Sequence, residues 1–270
     1  MTRAAAGNAG AGDTASRSLS RSPALLLSCS APPQAGPVRV SLRGMDQWLS
    51  QLRGRFIVFD GPDGSGKTTQ LRRFARRVAE VGVEACEVRE PGGTAIGEQV
   101  RRILLDPANA GMDLHCEMLL YMASRAQLVH ERIRPAMQAG QLVLADRFIS
   151  STLAYQGAAG GLSESAIREV ARVAVGEAWP DLVVVFDVDA DTAATRLNPL
   201  LDRMELKGRT YHRAVREGFL RQAEHEPQRY LVVDARGDSE AVFEAMMRAL
   251  ATRVADWGSE CGKRGNGGEG

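Results

Sequence analysis

Cysteine is scarce and dispersed. Cys29, Cys86, Cys116 and Cys261 are the four in 270 residues, and they form no CxxC or Cys/His spacing, which excludes a disulfide framework or a zinc site as the basis of the fold. The four histidines, His115, His130, His212 and His225, show no metal or dyad spacing either. Long apolar runs are missing as well: stretches such as Leu182–Val188, LVVVFDV, have strand length, far short of the roughly 20 residues of a membrane helix. Nor is there an excess of either charge. A formal net charge of +1 gives no reason for the chain to wrap nucleic acid or lie on an anionic membrane, so any anion must be bound locally. A reducing cytoplasm is the expected compartment.

What is present is a chain 44% hydrophobic, enough for a substantial core. Residues 1–44 are rich in Ala, Ser, Gly, Pro and Arg, hold Asp13 as their single acid, and show no helical or strand period. They read as a disordered extension, with Met45 an alternative start. Residues 258–270, GSECGKRGNGGEG, read as a flexible tail. Residues 45–257 between them form the expected domain. Strands are predicted at Phe56–Asp60, Ala85–Val88, Leu142–Ala145, Leu182–Asp187 and Tyr230–Val233. Helices are predicted after Lys67, from Ala95, over Leu114–Met137, from Ser163, near Tyr211–Ala223 and over Ser239–Trp257. That alternation predicts an α/β fold with five parallel strands between helices.

Directly after the first strand, Gly61-Pro62-Asp63-Gly64-Ser65-Gly66-Lys67-Thr68 fits GxxxxGK[ST], followed by Thr69 and a helix. In that context glycines let successive backbone N–H groups turn inward around phosphate oxygens, and the helix adds its positive N-terminal end. Lys67 is then expected on the β- and γ-phosphates of a nucleotide and Thr68 on Mg²⁺. Asp63 is less expected, because a carboxylate in a polyanion-binding loop is unfavourable without its own task. The alternative for it is a solvent-facing acid at a turn tip.

Further stretches narrow the reading. They are Arg89–Asp106 (REPGGTAIGEQVRRILLD), Leu119–Arg125 (LLYMASR), Ala145–Gly157 (ADRFISSTLAYQG) and Leu200–Gly208 (LLDRMELKG). Taken in order with GPDGSGKTTQ, they resemble bacterial thymidylate kinase over roughly residues 56–257. The resemblance implies a three-layer P-loop fold with a short lid, usually as a homodimer, that moves the γ-phosphoryl of MgATP to dTMP. No nucleic-acid or membrane partner is implied.

The resemblance also assigns residues. Tyr121 stacks on thymine and Arg125, four residues on along the same helix, donates to its O4. Arg147, at a strand end, clamps the monophosphate with its planar fork. Thr152, Tyr155 and Gln156 contact dTMP, with Gln156 at the thymine edge and the Tyr155 ring near C2′. Arg89 and Arg101 face the substrate phosphate, and Asp63 accepts the sugar 3′-hydroxyl. Glu90 and Asp146 are placed near the metal with Thr68, although strand-end pairing is an open alternative for Asp146. Gly61–Thr69 form the ATP loop, and Lys67 and Arg147 the catalytic cations.

The lid departs from the family pattern. Members whose P-loop lacks a basic residue usually carry several lid arginines, whereas here the segment 196–209 offers only Arg196, Arg203, Lys207 and Arg209. Arg203 is the expected catalytic one. Asp202 and Glu205 resemble the acidic pair after the lid loop, without an assigned role. The competing readings are another P-loop nucleoside or nucleoside-monophosphate kinase, and a non-catalytic nucleotide-binding partner protein.

Overall fold

Five short apolar runs pair side by side into one parallel sheet, in the order Ala85–Arg89, Leu142–Asp146, Phe56–Asp60, Leu182–Asp187 and Tyr230–Asp234. The computed structural model describes residues 47–196 and 202–261, all within one compact unit, Ser41–Gly270. The expected extension 1–44 and all but the first residues of the expected tail lie outside the described residues. In chain order the elements are β1 (Phe56–Asp60), α1 (Lys67–Glu80), β2 (Ala85–Arg89), α2 (Ala95–Leu105), α3 (Leu114–Leu128), α4 (Arg134–Gln138), β3 (Leu142–Asp146) and α5 (Ile149–Thr152). Then come α6 (Glu164–Val175), β4 (Leu182–Asp187), α7 (Ala190–Ala194), α8 (Arg209–His225), β5 (Tyr230–Asp234) and α9 (Ser239–Cys261).

Every strand runs parallel to its neighbours, so both faces of the sheet are covered and the strands read as continuous apolar runs. Alternation along each strand divides the core. Phe56, Val58, Val143, Ala145, Val183 and Val185 meet Met122, Ile133, Phe148 and Phe219 on one face. On the other, Ile57, Phe59, Leu144, Val184 and Phe186 meet Leu71, Phe74 and Val78 of α1 and Met246 and Leu250 of α9. Among the described residues no helix is long and apolar enough to cross a membrane.

Three departures from the sequence reading have physical causes. The predicted helix over Leu114–Met137 is interrupted: a wide π-type turn at Val129–Ile133 separates α3 from α4. Pro135 follows it, and a proline has no N–H for the helical ladder and crowds the carbonyl four residues back, which a widened turn relieves. Strands β2, β3 and β5 each extend one residue further than predicted, to a polar residue, Arg89, Asp146 or Asp234. Polar strand ends are where the sheet meets its loops. Finally, α9 continues to Cys261, so the first residues of the expected tail are helical.

Because β2, β3 and β1 are neighbours, their carboxyl ends deliver the loops after Asp60, Arg89 and Asp146 to one edge. Open parallel sheets bind ligands in such crevices.

Candidate active site

The loop after β1 has the geometry of an anion cradle. Gly61 has φ of 134°, and a Cβ there would lie 2.5 Å from the Phe186 carbonyl oxygen, so the close passage over β4 needs glycine. Gly66, φ 81°, is the N-cap of α1, and a Cβ there would meet nothing within 4 Å: its open side faces away from protein. Among the described residues the N–H groups of Gly64, Gly66, Lys67 and Thr68 make no hydrogen bond, while Thr69 and Gln70 return theirs to the Gly66 carbonyl. Such orphan donors at a helix start are available to an anion. Lys67 is buried beneath them, its Nζ 3.3 Å from the Pro62 carbonyl oxygen and 3.8 Å from Asp63. Burial, with Arg147 nearby, holds the Lys67 ammonium below the usual lysine range.

Arg147 is the hub between the P-loop and the end of β3. Its backbone is left-handed, φ 72°, unusual for a residue with a side chain. This conformation is held by its amide, which donates to the Phe59 carbonyl at 3.0 Å, and by a guanidinium with several partners. Nη1 donates to Asp60 at 3.3 Å, the Gly61 carbonyl at 3.2 Å and Ser151 at 3.0 Å; Nη2 donates to Asp63 and, at 3.2 Å, to Tyr155. The Tyr155 hydroxyl in turn donates to Asp63 at 2.7 Å. Burial alone would raise the Asp63 carboxyl, but Arg147, Lys67 and the Tyr155 hydroxyl together hold it well below the usual carboxylate range. Asp60 is fully buried, and burial pushes it up despite Arg147, Ser150 and Ser151.

Beside this hub lies a cavity that brings most of the expected acceptor residues together. Asp63, Arg147, Ser151 and Tyr155, joined by hydrogen bonds, line it together with Tyr121, Thr152 and Gln156 and the apolar Pro91, Leu105 and Met204. Burial pushes the Tyr121 and Tyr155 hydroxyls up, so both stay protonated. Arg125 sits directly behind this wall rather than on it. It is 1% exposed, and its Nε and Nη2 both lie 2.7 Å from Glu90 Oε2. Nη2 also donates to the Phe148 carbonyl at 3.0 Å and to Thr152 at 3.2 Å, and Nη1 contacts the Met122 sulfur.

The expected metal residues divide. Thr68 donates to Asp146 Oδ2 at 2.5 Å, and both line a second cavity with Arg72, Arg89 and Arg132. Glu90 is elsewhere: its carboxylate faces Arg125, lines the acceptor cavity, and has Oε1 buried without a partner. Burial pushes Glu90 up to about 7 against the pull of Arg125. A hydroxyl and one carboxylate are hard oxygen donors suited to Mg²⁺, which keeps waters and takes phosphate oxygens rather than filling an all-protein cage. Among the described residues no group of three or more His, Cys, Asp or Glu side chains forms such a cage. Of the two remaining arginines, Arg101 lines the acceptor cavity and donates to the Pro91 carbonyl at 2.9 Å. Arg89 is exposed and pairs with Glu98 at 2.7 Å, on the side of the second cavity.

Arg203, expected as the catalytic lid arginine, is held by buried partners. It is 4% exposed, pairs through Nη1 with Glu117 at 2.6 Å and donates through Nε to the Leu104 carbonyl at 2.6 Å, so its charge is taken up by a buried neighbour of the cavity residue Gln156. Arg196 donates to the carbonyls of Ala235, Arg236 and Gly237, and Arg209 pairs with Asp191. The acidic pair of unassigned role turns out to cap a short turn: Asp202 Oδ1 accepts from the amides of Met204 and Glu205, and Glu205 Oε2 accepts from the Asp202 amide.

Glu117 is the residue the sequence reading missed. It is 1% exposed and accepts from Gln156 Nε2 at 2.7 Å, Arg203 at 2.6 Å and Lys207 at 3.1 Å. Burial would raise its carboxyl, but these donors hold it below the usual range. One signal could have found it: Glu117, Tyr121 and Arg125 recur every four residues along α3, a single stripe facing one way.

Comparison with known proteins agrees with this geometry. A family model described as "Thymidylate kinase" matches residues 59–246. A thymidylate kinase of Symbiobacterium thermophilum is 45% identical over 196 residues, covering 72% of this chain and 92% of that relative. One of Deinococcus radiodurans is 44% identical over 205 residues, covering 74% of this chain and 98% of that protein. Among solved structures, thymidylate kinase from Ehrlichia chaffeensis superposes with a TM-score of 0.61 at 31% identity, over 73% of this chain and 98% of that one. With a P-loop, an arginine hub and an aromatic slot arranged around one edge of the sheet, this chain belongs to the thymidylate kinase family.

Proposed function

We propose that this protein transfers the γ-phosphoryl group of ATP to dTMP, giving dTDP and ADP, a step in dTTP biosynthesis. The observation that carries the reading is the acceptor cavity, which brings Asp63 of the P-loop and Arg147 together with Tyr121, Thr152 and Gln156. A nucleoside monophosphate laid along it has its phosphate at Arg147 and its base between Tyr121 and Gln156.

The chemistry follows from placement. Phosphoryl transfer needs two substrates held in line and the charge of the transferring group neutralised. The free amides of Gly64, Gly66, Lys67 and Thr68, with the Lys67 ammonium, hold the donor phosphates. Arg147 orients the acceptor phosphate, whose oxygens are already ionised near neutral pH, so no general base is required. Asp63 takes the sugar 3′-hydroxyl, and the Tyr155 ring stands where a 2′-hydroxyl would go. Thr68 and Asp146 would hold Mg²⁺, whose contribution when bound is to neutralise charge between the β- and γ-phosphates. Arg89 and Arg101 add positive charge near the phosphates. We further place the protein in the cytoplasm as a homodimer that acts on nucleotides rather than on nucleic acid or membranes. Near-zero net charge and the family resemblance support that part.

The test is a coupled ADP-release assay with ATP and Mg²⁺ across dTMP, dUMP, UMP, dCMP, AMP and thymidine. Turnover best with dTMP, abolished by chelation, is expected. Turnover best with AMP or thymidine would favour another P-loop kinase, and a folded but inactive protein would favour a non-catalytic binder.

A further inference from the structure

Behind the cavity wall lies an acid that the phosphoryl-transfer reading does not use. Glu117 lies behind Gln156, touching its amide nitrogen at 2.7 Å. Held ionised by its neighbours, it can only accept, so the group of Gln156 that faces it must be the NH₂. The amide oxygen is the atom left for a ligand, and Gln156 lines the acceptor cavity. Arg203 and Lys207 supply the cations that keep Glu117 ionised while buried.

We infer that Glu117 is a positioning residue for base selection: by holding the Gln156 nitrogen it presents the amide oxygen to the base, so the site demands a ring N–H at that edge. Thymine and uracil carry such a donor at N3. Cytosine carries an acceptor there and would place two lone pairs face to face. A buried polar group left unpaired in this way is a strong discriminator, stronger than any difference in pocket size. The inference rests on the proposed dTMP kinase reading and deepens it.

Glu117→Gln reverses the arrangement without changing its volume. Arg203 and Lys207 only donate, so they claim the new amide oxygen. The new NH₂ then faces Gln156, whose own amide must turn over and offer NH₂ to the base.

The experiment measures kcat and KM of the full chain for dTMP, dUMP, dCMP and N3-methyl-dTMP, with ATP varied separately. In the unaltered protein dTMP and dUMP should both exceed dCMP and the N3-methyl analogue. In Glu117→Gln the dTMP to dCMP ratio of kcat/KM should fall by about tenfold or more. KM should rise together for dTMP and dUMP, the N3-methyl penalty should shrink, and KM for ATP should hold. If burying Arg203 without its anion prevents folding, Glu117→Met with Arg203→Met removes the buried pair, leaves the part-exposed Lys207 to solvent, and must lower the same ratio. An unchanged ratio in a folded variant overturns the inference while leaving the dTMP kinase reading intact. Failure of the unaltered protein to prefer dTMP overturns that reading, and this inference with it.

Discussion

Arg125 and Glu90 form an ion pair whose side chains are 1% and 2% exposed, joining α3 to the loop after β2 beside the cavity that Glu90 lines. Removing Arg125 strips Glu90 of its charge partner, at a cost of up to about 3–5 kcal/mol that the glutamate lessens by taking up a proton. Arg125→Ala should therefore lose stability as well as thymine discrimination, and Arg125→Met with Glu90→Gln should regain most of the stability alone. Denaturant midpoints beside dTMP and dCMP kinetics separate the two losses.

The same pair fixes a pH dependence. Glu90 is raised to about 7 in the folded protein, above the roughly 4.3 of an unfolded glutamate. An acid raised on folding binds its proton more tightly in the folded state, so its contribution is most favourable below the unfolded value. That contribution declines as pH rises toward 7 and is flat above. The urea midpoint of the unaltered protein, relative to Glu90→Gln, should fall between about pH 5 and 7. A constant offset between the two proteins over that window would refute it.

Asp63 runs the other way. Its folded value lies well below the usual carboxylate range, so the stability it adds is present above the unfolded value near 3.9 and lost as pH falls below it. Asp63→Asn should abolish that acid-side loss in a thermal melt taken across pH 2 to about 5.

The Lys67 ammonium is held within its own loop, 3.3 Å from the Pro62 carbonyl, while the other described lysine, Lys207, pairs with Glu117. Lys67→Ala should lower kcat by roughly a hundredfold or more with little change in KM for dTMP. The circular dichroism spectrum should be unchanged, and a thermal transition near that of the parent would confirm that the loss is chemical.

Arg147→Lys tests the fork rather than the charge. One ammonium cannot span Asp60, Asp63, Ser151 and Tyr155 as the guanidinium does, and a point charge loses paired phosphate contacts. An increase of about tenfold in KM for dTMP, with KM for ATP little changed, is expected. An equal rise in both would place Arg147 on the wrong substrate.

The sheet and the P-loop were legible because their signals are local. A β-branched run, a glycine at a positive φ and a lysine at a helix start are each determined by a few adjacent residues. The ion pairs were not, since Glu90 meets Arg125 across 35 positions and Lys207 meets Glu117 across 90. Nothing near Arg203 in the sequence says that a buried glutamate on α3 waits for it, so a lid residue and a wall residue look alike. The break before Pro135 was legible in principle, because the proline was visible, but amphipathic periodicity continues across a widened turn and hid it.

Arg147 already has two carboxylates within the chain for company. On the proposed reading, a phosphate arriving there would compete with resident anions for the same guanidinium, and the free energy of capture would be the difference between two good contacts rather than the whole of one. Such an exchange makes for moderate affinity and ready departure, which suits a catalyst that must let its doubly phosphorylated product go.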